Sequence, residues 1–341
     1  MASIRKPLLC IVTPALADAN NGNWQTTQRW ARLLAGHYRV AIARQWPDAS
    51  LHETPVALIA LHARRSAGSI AAWAEAHPQA PLVVVLTGTD LYRDIHHDAA
   101  ARRSIECAHR LVVLQERGPL ALPAHLRARC RVVFQSSPSR VALPKPRGFL
   151  RALVVGHLRD EKSPETVFEA ARLLGSQEGI RIDHIGEAID PALGEAARAT
   201  AQACPHYRWL GPLSHAEVLR RLQRAHLLVQ ASRIEGGAHA VLEAVRVGTP
   251  VLASRIDGNL GMLGEAYEGY FPVGDAAALA ALLRDCREGM ARDDGRLARL
   301  AAQCAGRAPL FAPEAERQAL LDLLNDCLRP SGTGPRTGDL P

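Results

Sequence analysis

The sequence predicts an α/β protein built from two parallel β-sheets, each covered by helices on both faces. Short apolar runs alternate with segments of helical periodicity along the whole chain. These runs are apolar throughout rather than at every second residue, which is typical of parallel strands buried on both faces. A stretch with three prolines, residues 136–148, separates two halves that follow the same plan. We therefore expect two Rossmann-like domains whose parallel sheets face a central cleft.

The individual elements follow from the same periodicities. In the first half, strands are expected at 8–13, 39–43, 56–62, 82–87, 110–114 and 132–134, and helices at 24–35, 69–76 and 99–107. In the second half, strands are expected at 152–155, 181–185, 227–230 and 250–253, and helices at 164–174, 192–203, 216–224, 238–247 and 276–286. A last amphipathic helix, 313–328, begins with a proline in its first turn.

The domain boundaries are placed between these elements. The first Rossmann-like domain is expected over residues 1–147 and the second over residues 148–310. The helix at 311–329 is expected to pack back on the first domain. The tail at 330–341 is rich in Gly, Pro and Thr and is expected to be disordered.

The composition is that of a folded protein. Of the 341 residues, 48% are hydrophobic and 22% are charged, which excludes a wholly disordered chain. No stretch reaches the ~20 consecutive apolar residues that a membrane-spanning helix needs. The apolar run at 8–12 is too short for a signal peptide, and the seven cysteines lack metal-ligand spacing, which favours reduced thiols. The expected location is cytoplasmic.

The positive charge is concentrated in the first half of the chain. Residues 1–148 carry 19 Lys and Arg against 9 Asp and Glu, a net charge of +10, whereas residues 149–341 carry 22 against 25, a net charge of −3. This asymmetry predicts an anionic partner for the first half. The arginines are spread over several predicted helices without a basic run or interleaved aromatics, which disfavours nucleic acid. A small anionic substrate fits the charge at least as well.

The loop at 232–243 carries the strongest motif, two glutamates separated by seven residues. Glu235 lies just before a predicted helix, and Glu243 lies two turns inside it. Eight residues at 1.5 Å rise span about 12 Å, roughly the distance from the sugar to the ribose of a sugar nucleotide. Gly236 and Gly237 let backbone N–H groups at a helix N-terminus approach a diphosphate. A Gly-rich turn followed by a surface glutamate is the alternative, which the strand–loop–helix context disfavours.

A second loop, residues 155–164, places two cations at the carboxyl end of a strand. Ser163 is suited to cap the following helix and Pro164 to occupy its first turn. That role leaves Arg159 and Lys162 unexplained, and Lys162 is one of only three lysines in the chain. The two cations are suited to neutralise a leaving diphosphate. Solvated surface charge is the alternative for each.

The loop after the first strand, residues 13–25, is rich in amide side chains. Asn23 is expected to cap the first helix, and Gly22 to take a positive φ just before it. The loop lacks a GxGxxG pattern, so dinucleotide binding is not expected there. A polar loop that faces the cleft is suited to hydrogen-bond a second substrate.

Two of these loops together resemble a known family. The sequences "VGHLRDEKS" and "EGGAHAVLE", in that order, resemble the retaining GT-B glycosyltransferases of family four, and the resemblance covers residues 7–328. More narrowly, "TPALADANNGNWQTTQRW", "ALHARRS", "LTGTDLYRDI" and "RIDGNLGMLGEAYEGYFPVGD" resemble the selenosugar synthases of bacterial selenoneine biosynthesis. The resemblance implies a hexosyltransferase that transfers a sugar, N-acetylglucosamine, from its UDP-sugar to selenophosphate and forms a carbon–selenium bond.

The resemblance also implies an acceptor site in the first domain and a nucleotide-sugar donor site in the second. Glu243 would hold the ribose diol and Glu235 the sugar hydroxyls, while Lys162 would bind the diphosphate. The predicted catalytic residues are Lys162, Arg159 and Glu235. The predicted donor-binding residues are Gly156, His157, Gly236, Gly237, His239, Glu243, Asn259 and Gly261. The predicted acceptor-binding residues are Asn20, Asn21, Gly22, Asn23, Gln25, His62, Arg64, Arg65, Thr89 and Asp90.

The sequence departs from the wider family pattern at two places. His157 stands where an arginine usually follows the glycine, so the phosphate loses a fixed cation or depends on Arg159. "GGAH" replaces the usual "GFGL", which opens the space beside the sugar and brings His239 near it. Among the first-domain residues, His62, Arg64 and Arg65 come at the end of a predicted strand and are suited to bind phosphoryl oxygens, which arginine matches best in geometry. A solvated helix start is the alternative for these three residues.

No cofactor is expected, because the UDP-sugar is a substrate and no DxD motif points to a catalytic metal. The expected partners are a UDP-sugar and selenophosphate, with pathway enzymes that supply selenophosphate and use the selenosugar, and neither nucleic acid nor a membrane. Three alternatives stay open: a GT-B glycosyltransferase with another small, sugar or lipid acceptor, a nucleotide-sugar epimerase, and a non-catalytic RNA- or heparin-binding protein. Release of UDP only when an acceptor is supplied separates the first alternative from the other two.

Overall fold

The computed structural model describes residues 5–14 and 22–329, which contain two six-stranded parallel sheets. The first sheet has the strand order β2-β1-β3-β4-β5-β6. Its strands are β1 (Leu8–Val12), β2 (Arg39–Ala43), β3 (Ala57–Leu61), β4 (Leu82–Leu86), β5 (Arg110–Val113) and β6 (Cys130–Val132). The predicted residues Asn20 and Asn21 and the tail at 330–341 lie outside the described residues.

The second sheet has the order β12-β11-β10-β7-β8-β9, and its neighbouring strands are also parallel. Its strands are β7 (Leu150–Val155), β8 (Ile180–Ile185), β9 (Tyr207–Trp209), β10 (Leu227–Gln230), β11 (Val251–Ser254) and β12 (Tyr270–Phe271). The predicted α/β architecture of two parallel sheets is therefore confirmed. The short outer strands β9 and β12 are additions to the predicted set.

Helices connect the strands and cover the sheets. The first half contains α1 (Gly22–Leu34), α2 (Ala67–Ala76), α3 (Ile95–His97) and α4 (Ala99–Cys107). The second half contains α5 (Pro164–Leu173), α6 (Pro191–Ala203), α7 (His215–Arg224), α8 (His239–Arg246), α9 (Asp257–Leu263), α10 (Ala276–Glu288), α11 (Arg296–Arg307) and α12 (Pro313–Leu328). None of the helices in the described ranges is long and apolar enough to cross a bilayer.

Short polar side chains determine where several helices begin. Asp98, Asp190 and Asp275 each accept a hydrogen bond from a backbone N–H in the first turn of α4, α6 and α10. Ser214 and Glu217 form a reciprocal capping box at the start of α7. These caps satisfy N–H groups that the helix itself leaves without partners.

Of the two predicted helix caps, the one at Asn23 is wrong, and the one at Ser163 has the predicted position but not the predicted hydrogen bond. Asn23 lies inside α1 and does not cap it, because the helix already includes Gly22, whose backbone is helical rather than left-handed. Ser163 does occupy the position before α5, but in a left-handed conformation (φ 46°) without a side-chain capping bond. Its hydroxyl instead meets that of Thr166 at 2.9 Å.

Alternating residues of the first sheet face two separate cores. In β1, Cys10 and Val12 belong to one core, whereas Leu9 and Ile11 belong to the other. The helix α12 joins the second of these cores through Leu320, Leu323 and Leu324. The C-terminal helix thus buries its apolar face against the first sheet.

A buried carboxylate fixes α12 to the first half of the chain. Glu316 accepts hydrogen bonds from Trp30 Nε1 at 2.6 Å and from Arg29 Nε at 2.8 Å. The backbone N–H of Ser136 donates to the same carboxylate at 2.9 Å. Because Ser136 opens the proline-containing connection, Glu316 joins α1, α12 and this connection at one point.

Candidate functional site

Loops at the carboxyl ends of the two sheets touch each other. A β-carbon on Gly236, in the loop after β10, would lie 2.4 Å from the carbonyl oxygen of Thr87, which follows β4. A β-carbon on Gly237 would lie 2.7 Å from Cβ of Leu114. Glycine is required at both positions because a side chain would meet the other domain. The two predicted diphosphate-binding glycines therefore lie where the domains meet.

Ion pairs surround this contact. Arg117 Nε lies 2.7 Å from Asp257, and Arg307 Nη2 lies 2.9 Å from Glu116. Each pair joins a residue of the first half to one of the second. The predicted donor residue Gly261 also lies at this contact, because a β-carbon there would overlap Gln115 Oε1 at 1.8 Å. The structure therefore has the two domains closed on each other.

Lys162 and Glu235 come together at the carboxyl edge of the second sheet. Lys162 Nζ lies 2.6 Å from Glu235 Oε1. Gln230 Nε2 and Ser232 Oγ both donate to the same oxygen at 2.6 Å. Glu235 is only 8% exposed, so three donors, one of them a cation, hold a nearly buried carboxylate in a single position.

The remaining predicted residues of the 155–164 loop lie beside this pair. The side chain of Lys162 passes 3.5 Å from the position that a β-carbon of Gly156 would take. His157 is exposed, and its Nδ1 accepts a hydrogen bond from the N–H of Glu187 at 3.1 Å. Arg159 is exposed, with Nε 3.9 Å from Glu161. The side chain of Arg159 is therefore free to turn toward a ligand, whereas the ion pair with Glu235 holds the side chain of Lys162 in place.

Glu243 is bound by two histidines. Its Oε1 lies 2.5 Å from Nε2 of His215, the first residue of α7, and 3.4 Å from Nε2 of His239. Burial by itself would raise the pKa of Glu243, but the hydrogen bonds from His215 and His239 lower it to about 2. The hydrogen bond with Glu243 in turn raises the pKa of His215. The glutamate is therefore a carboxylate at neutral pH and can accept the two hydroxyls of a diol.

The predicted donor residue Asn259 lies fully buried in α9. Its Nδ2 donates to the backbone carbonyl of Ser254 at 2.9 Å, while its Oδ1 has no partner among the described residues. The preceding Gly258 packs on Glu235, since a β-carbon there would lie 2.2 Å from the Glu235 carbonyl oxygen. The start of α9 thus supports the loop that carries Glu235.

In the first domain, Asp90 organises the loops that follow β3 and β4. Asp90 is fully buried, and its carboxylate accepts from the N–H groups of Ala63 at 3.0 Å, Thr87 at 2.8 Å and Gly88 at 3.0 Å. Each bond satisfies a backbone donor of a loop that borders the contact between the domains. The structure therefore gives the carboxylate of Asp90 a role in holding these loops.

His62 is held between the same loops. It has a left-handed backbone (φ 72°), is 2% exposed, and its Nε2 lies 3.3 Å from Thr89 Oγ1. Burial lowers the pKa of His62, although the nearby Asp90 carboxylate favours its charged form. His62 is therefore suited to act as a neutral hydrogen-bonding group next to Thr89.

The other predicted acceptor residues are more exposed. Arg64 and Arg65 lie on the surface, and Arg64 has Asp94 at 3.5 Å and Asp98 at 3.7 Å. Gly22, Asn23 and Gln25 lie in the first turn of α1, where Asn23 and Gln25 are half-buried. The residues predicted to bind the acceptor substrate are thus divided between the start of α1 and the loops after β3 and β4.

Several contacts of the site were not predicted from the sequence. Gln230 and Ser232 orient Glu235, His215 binds Glu243, and Asp94 lies 3.9 Å from Nε2 of His62. The position of Ser232, three residues before Glu235, is the one local signal. Within residues 5–14 and 22–329, no group of three or more His, Cys, Asp or Glu side chains is arranged to hold a metal ion.

Residues 136–292 match the family described as glycosyl transferases group 1. This stretch contains the 155–164 loop and both glutamates of the second motif. Among curated proteins, none matches the sequence significantly.

Solved structures share the fold over most of the chain. Sucrose-phosphate synthase from Thermosynechococcus elongatus superposes with a TM-score of 0.71 at 16% identity, covering 94% of this chain and 99% of its own. Anabaena HepE in complex with UDP and glucose has a TM-score of 0.70 at 13% identity, covering 94% and 100%. S. aureus TarM, solved with Fondaparinux, alpha-GlcNAc-glycerol and UDP, has a TM-score of 0.60 at 15% identity and covers 79% of this chain. The chain spans 55% of the TarM chain. The fold is GT-B.

Proposed function

We propose that this GT-B chain, whose residues 136–292 match the family described as glycosyl transferases group 1, is an enzyme that moves N-acetylglucosamine from its UDP-sugar to selenophosphate. Selenium attacks the anomeric carbon of the sugar and forms a carbon–selenium bond. The bond from that carbon to the diphosphate oxygen breaks, and its electron pair leaves with UDP. The immediate product carries the phosphoryl group on selenium, and hydrolysis of the selenium–phosphorus bond by water releases phosphate and leaves the selenosugar. The reaction belongs to selenoneine biosynthesis.

The donor half of the proposal is supported by the charges at the carboxyl edge of the second sheet. Lys162 and the exposed Arg159 supply positive charge at the loop after β7. Such cations stabilise the charge that grows on a leaving diphosphate. Glu243 is a buried carboxylate in α8, the helix that follows the Glu235 loop, and it is suited to bind the ribose hydroxyls. HepE has been solved with UDP-glucose and TarM with UDP, which favours the same class of donor here.

The acceptor half is supported by the first domain. The net charge of +10 over residues 1–148 suits a small multiply charged anion. Arg64 and Arg65 are exposed next to His62, and guanidinium groups match phosphoryl oxygens. Selenophosphate is already ionised near neutral pH, so the reaction needs no side-chain base.

The Lys162–Glu235 pair is the observation that carries the proposal. It places a cation and a hydrogen-bonding carboxylate 2.6 Å apart, at the edge where the two domains meet. A diphosphate bound to Lys162 would have its sugar next to Glu235, at the edge that faces the loops of the first domain.

The test is incubation of the protein with UDP-N-acetylglucosamine and selenophosphate, followed by mass spectrometry. We expect a selenosugar together with UDP, and about a hundredfold less product, or lower still, from the Lys162→Ala variant in the same time. If UDP is released only with another phosphate or sugar acceptor, and no selenosugar forms, the protein is a glycosyltransferase but selenophosphate is not its acceptor. Conversion of the UDP-sugar to its epimer without UDP release would reject both.

A further inference from the structure

A second concentration of charge lies in the second domain, toward the amino ends of its strands and away from the cleft. A cavity of about 230 Å³ is lined by Arg151, Asp183, Glu217, Arg220, Arg221 and Arg224, and we call it the arginine pocket. Arg151 is the second residue of β7, and the three other arginines occupy the last half of α7. Four guanidinium groups therefore face two carboxylates.

The carboxylate of Asp183 does not satisfy the arginines around it. Its Oδ1 accepts from Arg208 at 2.8 and 2.6 Å. Arg221 Nη1 lies 3.8 Å and Arg151 Nε lies 4.0 Å from Oδ2, both beyond hydrogen-bond distance. Arg151 Nε is moreover a buried donor with no partner among the described residues. An unpartnered buried donor is costly, so this position favours an additional acceptor.

The other carboxylate of the arginine pocket is already engaged. Glu217 accepts from Ser214 Oγ at 2.6 Å and from the Ser214 N–H at 3.1 Å, as part of the capping box of α7. These bonds fix the carboxylate at the start of the helix, one turn before Arg221, so this single glutamate stands against the three arginines of α7. The arginine pocket therefore keeps an excess of positive charge.

The charges around Arg151 point to the same excess. Burial lowers its pKa, and the neighbouring cations Arg208, Arg221 and Arg181 lower it further against the opposing effect of Asp183. A guanidinium whose charge is disfavoured by its surroundings gains from the arrival of an anion.

We propose that the arginine pocket binds a phosphate or diphosphate group, separate from the donor site at the cleft. The oxyanion would accept from Arg151 Nε and from the guanidinium of Arg221, the two groups that Asp183 leaves without hydrogen bonds. Arg220 and Arg224 add charge at the rim. Arginine suits this ligand because its planar donors match the geometry of phosphate oxygens.

The test measures binding of inorganic diphosphate and, separately, inorganic phosphate by calorimetry to the full chain saturated with UDP, which occupies the proposed donor site. We expect the wild-type protein to bind at least one of the two anions. Arg221→Gln and Arg151→Gln should each weaken this binding about tenfold or more, because each removes a charge-assisted contact. The matched control is Arg102→Gln, which removes an exposed arginine of α4 and should leave the affinity unchanged.

Because Arg221 is half-exposed, its substitution by glutamine should not disturb folding. Arg221→Gln therefore tests the proposal even if Arg151→Gln fails to fold. As a second measurement, the anion at a fixed concentration should raise the Tm of the wild-type protein and of Arg102→Gln more than that of Arg221→Gln. The proposal is overturned if neither anion binds the UDP-saturated protein, or if Arg221→Gln and Arg102→Gln bind it equally. Binding of single-stranded RNA in place of both anions would overturn it too.

Discussion

Gly236 faces Thr87 so closely that a β-carbon on the glycine would lie 2.4 Å from the threonine carbonyl carbon and oxygen. The two residues belong to different domains, and both follow a central strand of their sheet. The obstacle would be backbone rather than a flexible side chain, so it cannot move aside cheaply. The closed arrangement of the domains therefore depends on the absence of a side chain at Gly236.

Gly236→Ala is expected to keep the domains apart. The added methyl group would overlap Thr87 unless the first domain moves away, and separation of the domains admits water to the site. Small-angle scattering should show a larger radius of gyration for the variant, with a lower kcat. Gly306→Ala is the control, because a β-carbon there has no neighbour within 4 Å. Equal radii for both variants and the wild type would contradict this prediction.

Lys162→Ala should reduce turnover far more than it weakens UDP binding. The charge on the leaving diphosphate grows in the transition state, so the loss of Lys162 is expected to cost about 2.7–4 kcal/mol of transition-state stabilisation. The measurement is kcat together with the Kd for UDP. Lys6→Ala, which removes a surface lysine bonded to the Ala35 carbonyl, should retain normal turnover. If Lys162→Ala retains most of its kcat, Lys162 does not bind the diphosphate.

Glu243→Gln and Glu235→Gln should separate nucleotide binding from sugar transfer. Loss of the Glu243 charge should weaken UDP binding about tenfold, because hydrogen bonds to charged groups are worth about 1.5–3 kcal/mol. Glu235→Gln should leave UDP affinity nearly unchanged and lower the rate with the UDP-sugar. Calorimetry with UDP gives the first quantity and steady-state kinetics the second. Thermal melting is the control for both, since each carboxylate is nearly buried. Wild-type UDP affinity in Glu243→Gln would reject this division.

Arg64→Ala should raise the KM for selenophosphate and leave UDP affinity nearly unchanged. Arg64 lies beside Asp94 and Asp98, exposed enough to turn toward an anion. Its contribution should fall with added salt, because exposed charges are screened within about 8 Å at physiological ionic strength. The measurement is the KM at saturating donor for Arg64→Ala, Arg65→Ala and Asn21→Ala, at low and high salt. If all three variants keep the wild-type KM for selenophosphate, the anion binds at another site.

His215→Gln should make stability less dependent on pH above 6.5. The hydrogen bond with Glu243 raises the pKa of His215 above its ordinary value of 6.5. The stabilisation is therefore complete below pH 6.5 and is lost as the pH rises through the raised pKa of the folded state. Urea unfolding at pH 6 and pH 8 should show a smaller decrease in the free energy of unfolding for the variant than for the wild-type protein.

The control for this experiment is His125→Gln. His125 is an exposed histidine that also pairs with a glutamate, Glu106, at 2.7 Å, but on the surface of the first domain. Exposed pairs contribute little, so His125→Gln should keep the wild-type difference between the two pH values. Equal pH dependence in all three proteins would mean that the His215–Glu243 contact does not contribute to stability.

Most of the strands that could be predicted from the sequence are buried. β10 (Leu227–Gln230) is buried throughout and has the predicted bounds, because a continuous apolar run needs cover on both faces wherever it lies. β2 (Arg39–Ala43), at the edge of its sheet, also has the predicted bounds, although only Ala43 is buried there. β9 (Tyr207–Trp209) and β12 (Tyr270–Phe271) were missed because two or three residues carry no periodicity. The helix α9 (Asp257–Leu263) was missed because it contains two glycines, which disfavour a helix unless packing requires them.

For the site, the apolar runs of the sequence are sufficient to predict which residues lie at the carboxyl ends of strands, since parallel strands place their following loops at one edge of a sheet. That is why Lys162 and Glu235 could be assigned to one site although 73 residues separate them. The contacts that these side chains make follow instead from the packing of the whole fold. Lys162 binds Glu235 directly, and His215 binds Glu243, because the strand order β10-β7-β8 and the position of α7 bring distant residues within hydrogen-bond distance. Local sequence does not specify such contacts, because they depend on how elements far apart in the chain pack together.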